Sequence, residues 1–395
     1  MKILIAESGQ HVVAACRLMA KEGHEIVFLS SKSFDHFVPL FLSKSYSEII
    51  NINKAENDFD KIKQIKEIYD QKNCDMFFPF GYDLVTAYIN ESHDCEELWM
   101  NTPYAGYEQY WKLSNKFNLY TLLKDTDICL PKLYGRINNE SSISLGKESF
   151  PVIVKKTKGV GIIKNVILAS SNQDIKRYVS AYVENGANNA EFIVQQYIAG
   201  DIFDVGGFAI DGEIFCAIPQ RRTITYPING GVAAVNDIYA DEKLIQLTKI
   251  IISKAKWTGP FQAEFRHDPE SDTYVLLEVN TKMWGSSPLS FKANDDLLRL
   301  ILQYADGKKV KKNMSYRKNI CYRWITNQEI KAMVFASIPE KIGFLKRFFG
   351  NYYYDIDFDD IGPDLFRFLK SLIQIFLLSH NIPRPLIEEK KKTSE

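Results

Sequence analysis

Leu276-Leu277-Glu278-Val279-Asn280 sets a carboxylate and an amide two residues apart at the end of an apolar run. Side chains two apart on a strand point to the same face, so Glu278 and Asn280 can aim two oxygens at one point. Glu264, in Gln262-Ala263-Glu264-Phe265, lies on a neighbouring predicted strand and offers a third. Carboxylate and amide oxygens suit hard Mg²⁺, which takes few protein ligands and shares phosphates. One glutamate alone would read as a solvated strand end; two acids and an amide, each beside apolar runs, read as a metal set. A second segment, residues 150–155, is a β-forming run that delivers Lys155 at its end, and Lys156-Thr157-Lys158-Gly159-Val160-Gly161 follows. Gly159 and Gly161 let backbone N–H groups approach a phosphate, with Lys155 as a point charge. The P-loop pattern GxxxxGKS/T is absent, and taken alone Gly-Val-Gly also reads as a hairpin. In a third segment an apolar strand runs into Gln195-Gln196-Tyr197-Ile198. An edge backbone of this kind can read an adenine through its N6 and N1; taken alone, it too is a plain strand.

Such residues need elements to hold them. Over the first hundred positions strand and helix alternate: strands at 2–6, 25–30, 47–52 and 75–80, helices at 12–22 and 58–71. That alternation predicts parallel βαβ units. A lone glycine, Gly9, follows the first strand; without GxGxxG it predicts an open structural sheet and no dinucleotide site. Residues 101–110 read as a connector and 112–124 as one helix. From Pro151 the character changes to antiparallel strands at 152–155, 166–169, 192–196, 205–211 and 213–219, the last two joined at Asp211-Gly212 as a hairpin. A helix at 241–256 and strands at 261–266 and 274–279 follow. Residues 308–312 read as a basic linker. Residues 365–378 are apolar with a polar stripe at Arg367, Lys370, Ser371 and Gln374, at helical spacing, which reads as a core or dimer helix ahead of a membrane-surface one. The tail 388–395 is charged and reads as disordered.

The bulk numbers narrow the class. The chain has 395 residues, 46% of them hydrophobic, enough for two or three domains. Lys and Arg number 49 and so do Asp and Glu, so there is none of the basic excess expected of a nucleic-acid binder. Six scattered cysteines without a CxxC pair predict reduced, buried thiols. The apolar run at 3–6 is too short for a signal-peptide core, and no run reaches the ~20 residues of a membrane span. A cytoplasmic chain with no nucleic-acid partner and no transmembrane segment is the expectation.

Taken in order, these pieces resemble the ATP-grasp superfamily, and within it the carbamoyl-phosphate-synthase-like carboxylate–amine ligases. The likeness covers roughly residues 1–305. It implies an α/β Rossmann-like (pre-ATP-grasp) domain at 1–104, an ATP-grasp small lobe with a connecting helix at 105–190, and a large lobe with the nucleotide and metal site at 191–307. Residues 308–395 would be a C-terminal extension of unassigned role. The segment from Asn115-Lys116 to Leu130-Pro131 resembles the family's "DK…GIPVP", which gives Lys116 a phosphate-binding role, with Lys112 as the alternative. Lys155 matches the lysine on the α/β-phosphates, and Gly159 and Gly161 the loop that closes over them. Gln195, Gln196, Tyr197 and Ile198 resemble the adenine-holding hinge "QEYI". Asp201 or Asp204 falls near the ribose. Glu264, Glu278 and Asn280 match the metal ligands. Arg222, followed by Asn229-Gly230-Gly231, resembles the arginine that faces a substrate carboxylate or phosphate, and Lys282 sits where many members carry an arginine. Met283-Trp284-Gly285-Ser286 is similar to the "RxWGS" stretch of members linked to surface-polymer synthesis.

Three departures stand out: Gln196 in place of the hinge glutamate, Lys282 in place of a bidentate arginine, and Asn115 in place of aspartate. None removes a metal ligand. The resemblance implies ATP and Mg²⁺, with Mn²⁺ able to substitute, and small-molecule carboxylate and amine substrates. It allows a homodimer. The implied reaction activates a carboxylate as an acyl phosphate and couples it to an amine or other nucleophile, releasing ADP and phosphate. A non-catalytic ATP-binding module and a kinase on the same fold are the alternatives.

Overall fold

The computed structural model describes residues 1–6, 9–30, 42–138, 143–159, 166–186, 189–226, 232–336, 341 and 352–380. Gly161, Asn229-Gly230-Gly231 and the charged tail lie outside the described residues. Apolar runs with no polar alternation form the first sheet, as expected of strands covered on both faces. Its strands β1 (Lys2–Ala6), β2 (Glu25–Ser30), β3 (Glu48–Asn51) and β4 (Met76–Phe77) are all parallel, in the order β3-β2-β1-β4. Helices Gln10–Lys21, Asp58–Gln71 and Tyr82–Asp94 connect them. The second of these starts where expected because Asn57 accepts from the Asp60 N–H and the first turn carries two acids.

The stretch expected as one helix at 112–124 is two, Tyr107–Ser114 and Lys116–Leu123. Asn115 breaks the run: its backbone is extended and its side chain accepts from the N–H groups of Phe117 and Asn118. The family's aspartate is thus replaced by another good N-cap.

A small antiparallel sheet follows: β5 (Leu133–Ile137), β6 (Val152–Lys156), β7 (Val166–Ala169) and β8 (Phe192–Gln196), ordered β5-β8-β6-β7. Helix Asn172–Glu184 covers it with Ile175, Tyr178 and Tyr182. The large sheet holds β9 (Ile202–Ile210), β10 (Glu213–Tyr226), β11 (Val232–Ile238), β12 (Gly259–Asp268), β13 (Thr273–Asn280), β14 (Cys321–Arg323) and β15 (Tyr352–Tyr354), ordered β13-β12-β9-β10-β11-β14-β15. β9 and β10 join through Asp211-Gly212, both at positive φ, as a two-residue hairpin demands. Hence residues beyond 308 add two strands to the same sheet, β14 antiparallel to β11 and β15 parallel to β14.

The C-terminal helix, Gly362–His380, inverts the expected amphipathicity. Arg367 and Ser371 are buried, while Leu365, Leu369, Ile373, Phe376 and Leu377 are exposed, Phe376 at 65%. The apolar stripe is therefore not core. Its polar stripe meets protein: Ser371 donates to the Thr326 carbonyl and Arg367 to Asp364 and to the Asp355 carbonyl. Four of the six free cysteines are buried; Cys95 is half-buried and Cys129 exposed. Among the described residues no helix is long and apolar enough to cross a membrane.

Candidate active site

Register brings the acids together. In the antiparallel β12–β13 pair Glu264 lies opposite Glu278, and Gln262 opposite Asn280. On the other side of β12, Glu264 lies opposite Asp204 of β9. Side chains at alternate positions share a face, so Glu264, Glu278 and Asn280 are turned to one surface of the sheet. The ladder slips immediately beyond Glu264: Phe265 pairs with Leu276, leaving Leu277 as an extra residue. Bulges of this kind re-aim groups beside functional sites. Here the Leu277 carbonyl accepts from Lys155 Nζ at 3.0 Å.

Lys155 reaches that point from β6 of the small sheet, so the two sheets meet across the site. Lys116, the first residue of its helix, stands 3.4 Å from Glu278 Oε2, and its N–H donates to the Thr157 carbonyl. Lys155 is 6% exposed. Burial, with the Lys116 charge beside it, pushes its pKa down to about 8 against the pull of Glu278 and Glu264. Burial works to raise the Glu278 carboxyl, but Lys116 and Lys155 hold it at about 2. Glu278 is thus an anion with two lysines at hand.

Arg222 forms a second charge pair. It donates to both oxygens of Asp204 at 2.9 Å and to Glu264. Asp204 is 0% exposed. A ribose contact does not fit a carboxylate so enclosed: the structure puts Asp204 under the site as the counter-ion of Arg222. Burial raises both Asp204 and Glu264, and Arg222 opposes it. Asn280 donates through Nδ2 to Gln262 Oε1 at 3.1 Å. Two carboxylates and an amide oxygen on one face fit a Mg²⁺ ion by donor chemistry, Glu264, Glu278 and Asn280 being the residues that would hold it.

Gln195 to Ile198 carry the chain from β8 of the small sheet into the large one. Gln195 is opposite Ile153 on the strand that bears Lys155. The Gln196 N–H donates to the Lys132 carbonyl, and Tyr197 lies under the Arg266 guanidinium. Gly159, at positive φ, donates its N–H to the Tyr82 hydroxyl at 3.0 Å, which ties the glycine loop to the first parallel unit. Lys282 donates to the Met283 carbonyl and its charge bears on His11 and Asp83 of that unit. It stands apart from the Lys116–Lys155 pair. Close approach also dictates Gly206: a Cβ there would meet the Trp284 indole at 2.2 Å.

A cleft of about 500 Å³ opens beside the acids. Arg222, Gln262, Glu264 and Asn280 form one side. The rest comes from residues to which the sequence reading gave no role: Gln10 and His11 at the start of the first helix, and Trp324, Asn327, Gln328 and Arg367 from the C-terminal stretch. One signal existed, the polar stripe on an apolar helix that contains Arg367. Gln10, His11 and Gln328 carry none, because they meet the site only through tertiary folding.

A β-strand lysine, a glycine turn, a hinge between two sheets and an acid–acid–amide set on the floor form one constellation. The family model described as ATP-grasp in the biosynthetic pathway with Ter operon matches residues 188–328. The chain has an ATP-grasp fold. It is 24% identical over 324 residues to a D-aspartate ligase of Enterococcus faecium, covering 75% of this chain and 74% of that one. Among solved ATP-grasp structures, the biotin carboxylase domain dimer of Hydrogenobacter thermophilus 2-oxoglutarate carboxylase, in complex with MgADP, ADP and bicarbonate, matches at a TM-score of 0.64. Identity is 15%, over 81% of this chain and 73% of that one. The L-amino acid ligase of Bacillus licheniformis matches at 0.59 with 15% identity, over 78% and 75% of the two chains.

Proposed function

We propose that this ATP-grasp chain is a ligase that joins a small-molecule carboxylate to an amine at the expense of ATP. The observation that carries the reading is the meeting of Lys116 and Lys155 on Glu278, with Glu264 opposite it and Asn280 on the same face. In this reading the parallel sheet belongs to a Rossmann-like domain (1–104), the two antiparallel sheets to the lobes (105–190 and 191–307), and residues 308–395 to a C-terminal extension. The names of the relatives, a D-aspartate ligase and an L-amino acid ligase, support a carbon–nitrogen ligase.

ATP lies between the sheets, its adenine along Gln195 to Ile198 and its phosphates at Lys116, Lys155 and Gly159. Mg²⁺ held by Glu264, Glu278 and Asn280 would neutralise charge on the β- and γ-phosphates. Phosphoryl transfer needs chiefly in-line positioning and charge compensation, which the two lysines supply. A substrate carboxylate oxygen takes the γ-phosphoryl group, giving ADP and an acyl phosphate. The amine nitrogen then attacks the acyl carbon; the C–N bond forms, phosphate leaves with the C–O bonding pair, and the nitrogen loses a proton. Arg222, locked by Asp204, keeps its guanidinium beside Glu264 at the cleft wall, where developing negative charge is stabilised.

An ADP-release assay across amino acids and sugar acids, each paired with amine acceptors, tests the reaction. Release that requires one acid and one amine together is expected. Glu278→Ala should lower that turnover by on the order of 10²–10³ while circular dichroism shows a folded chain. Parental turnover in folded Glu278→Ala would end the assignment.

A further inference from the structure

The far wall of the cleft is built by chain that follows β14. Trp324, Asn327 and Gln328, together with Arg367 on the C-terminal helix, line the same space as Glu264 and Asn280. The charged groups here already have partners. Arg222 is held by Asp204 and Glu264, and Arg367 by Asp364 with Asp355 at 4.0 Å. Four other lining atoms differ: His11 Nε2, Ser286 Oγ, Gln328 Oε1 and Arg367 Nε are buried with no hydrogen-bond partner among the described residues. Ser286 is 7% exposed and Arg367 4%. A buried polar group left unpaired costs about 1–3 kcal/mol, and native proteins keep few. Four around one cleft mark where ligand atoms complete the set.

The types of these atoms limit the ligand. Arg367 Nε only donates, Gln328 Oε1 only accepts, and the Ser286 hydroxyl does both. His11, pushed down to about 3 by burial and by Lys282, is neutral and offers one ring nitrogen of either kind. A carboxylate only accepts. It would leave Gln328 Oε1 unsatisfied and add negative charge beside Glu264, with both arginines already neutralised. A hydroxyl or a primary amide both donates and accepts, and serves every one of the four.

We propose that Ser286, Gln328 and Arg367, with His11, form a subsite for a neutral, hydroxyl- or amide-bearing end of one substrate, so that the C-terminal stretch sets which substrate is taken. This rests on the ligase reading above. The test uses the full chain at saturating MgADP, with binding followed by thermal shift and calorimetry. The probes are D-glucosamine and D-glucuronate (hydroxyl-rich), L-glutamine (amide), and D- and L-aspartate (a second carboxylate). At least one hydroxyl or amide probe binds, and the aspartates do not. Ser286→Ala and Gln328→Leu each weaken that probe about five- to tenfold, with MgADP affinity and the melting temperature of the free protein undiminished. A merely structural hydroxyl or amide would not move probe affinity. Binding of aspartate alone overturns the subsite, as does silence from every hydroxyl and amide probe while MgADP binds normally. So do variants that hold the probe as tightly as the parent. If MgADP itself fails to bind, the ligase reading falls and the subsite with it.

Discussion

Lys155 is a cation stored where cations are disfavoured. Burial has brought its pKa down to about 8, although Glu278 is close by. A triphosphate laid beside it adds negative charge and shifts the lysine back toward its charged form. Nucleotide binding must then take up protons above about pH 8, where the free site holds a substantial neutral fraction, and take up almost none from this group near pH 6.5. Calorimetry of MgATP binding at pH 8.5 in buffers of different ionisation enthalpy measures the uptake directly. Lys155→Met should abolish the buffer dependence and weaken binding; an unchanged dependence in that variant would place the titrating group elsewhere. Glu278, held at about 2, contributes no protons in this range.

At the scale of elements, the strand that carries Gly206 supports the loop after Asn280. The Trp284 indole lies against that glycine, and Ser286, two residues on, lines the cleft. Gly206→Ala would force a Cβ to within 2.2 Å of the ring. Overpacking of a tight core contact costs about 1–3 kcal/mol, so the melting temperature falls by several degrees, as scanning calorimetry would record. The displaced loop should also weaken ligands at Ser286 more than it weakens MgADP. Much of this geometry was legible before the fold. Glu278-Val279-Asn280 beside Glu264 could be set on one face because strand periodicity is local and strong, and Asp211-Gly212 announced its hairpin through turn chemistry. Other parts were not. Asn115 looks like a mid-helix residue until its side chain is seen capping a new helix. β14 and β15 are three residues each, too short to show alternation. The last helix reads as a core element because periodicity reports that two faces differ, not which one meets the protein. Arg367 and Ser371 turn inward there because ionic and carbonyl partners await them.

Those partners also bind the two ends of the chain together, and the cleft depends on it. Arg17, on the first helix, donates to Asp360 at 2.8 Å and to Asp364 at 3.1 Å. Asp360 accepts as well from Ser43 and from the Lys44 N–H. Gln10 donates to Asp355, two positions from which the polypeptide turns toward the helix that bears Arg367. The cleft wall supplied by His11 and the one supplied by Arg367 are therefore held in register by a buried ionic cluster. Arg17→Ala leaves Asp360 and Asp364 buried without their cation. Breaking one side of such a cluster typically costs about 3–5 kcal/mol, which urea denaturation at pH 7 would read as a lower midpoint. The pH dependence follows from Asp360. Burial acts to raise its pKa, but Ser43, Arg17 and the Lys44 N–H outweigh it and hold the carboxyl below its ordinary value. A carboxyl depressed in the folded state contributes stability above its unfolded pKa of about 3.9, and that contribution is lost as pH falls through the folded value. Protonation at pH 4 and below also relieves the uncompensated charge in the variant, so the gap between parent and Arg17→Ala should narrow from pH 7 to pH 4. A gap that stays constant or widens would mean that the cluster does not bridge the two ends through charge.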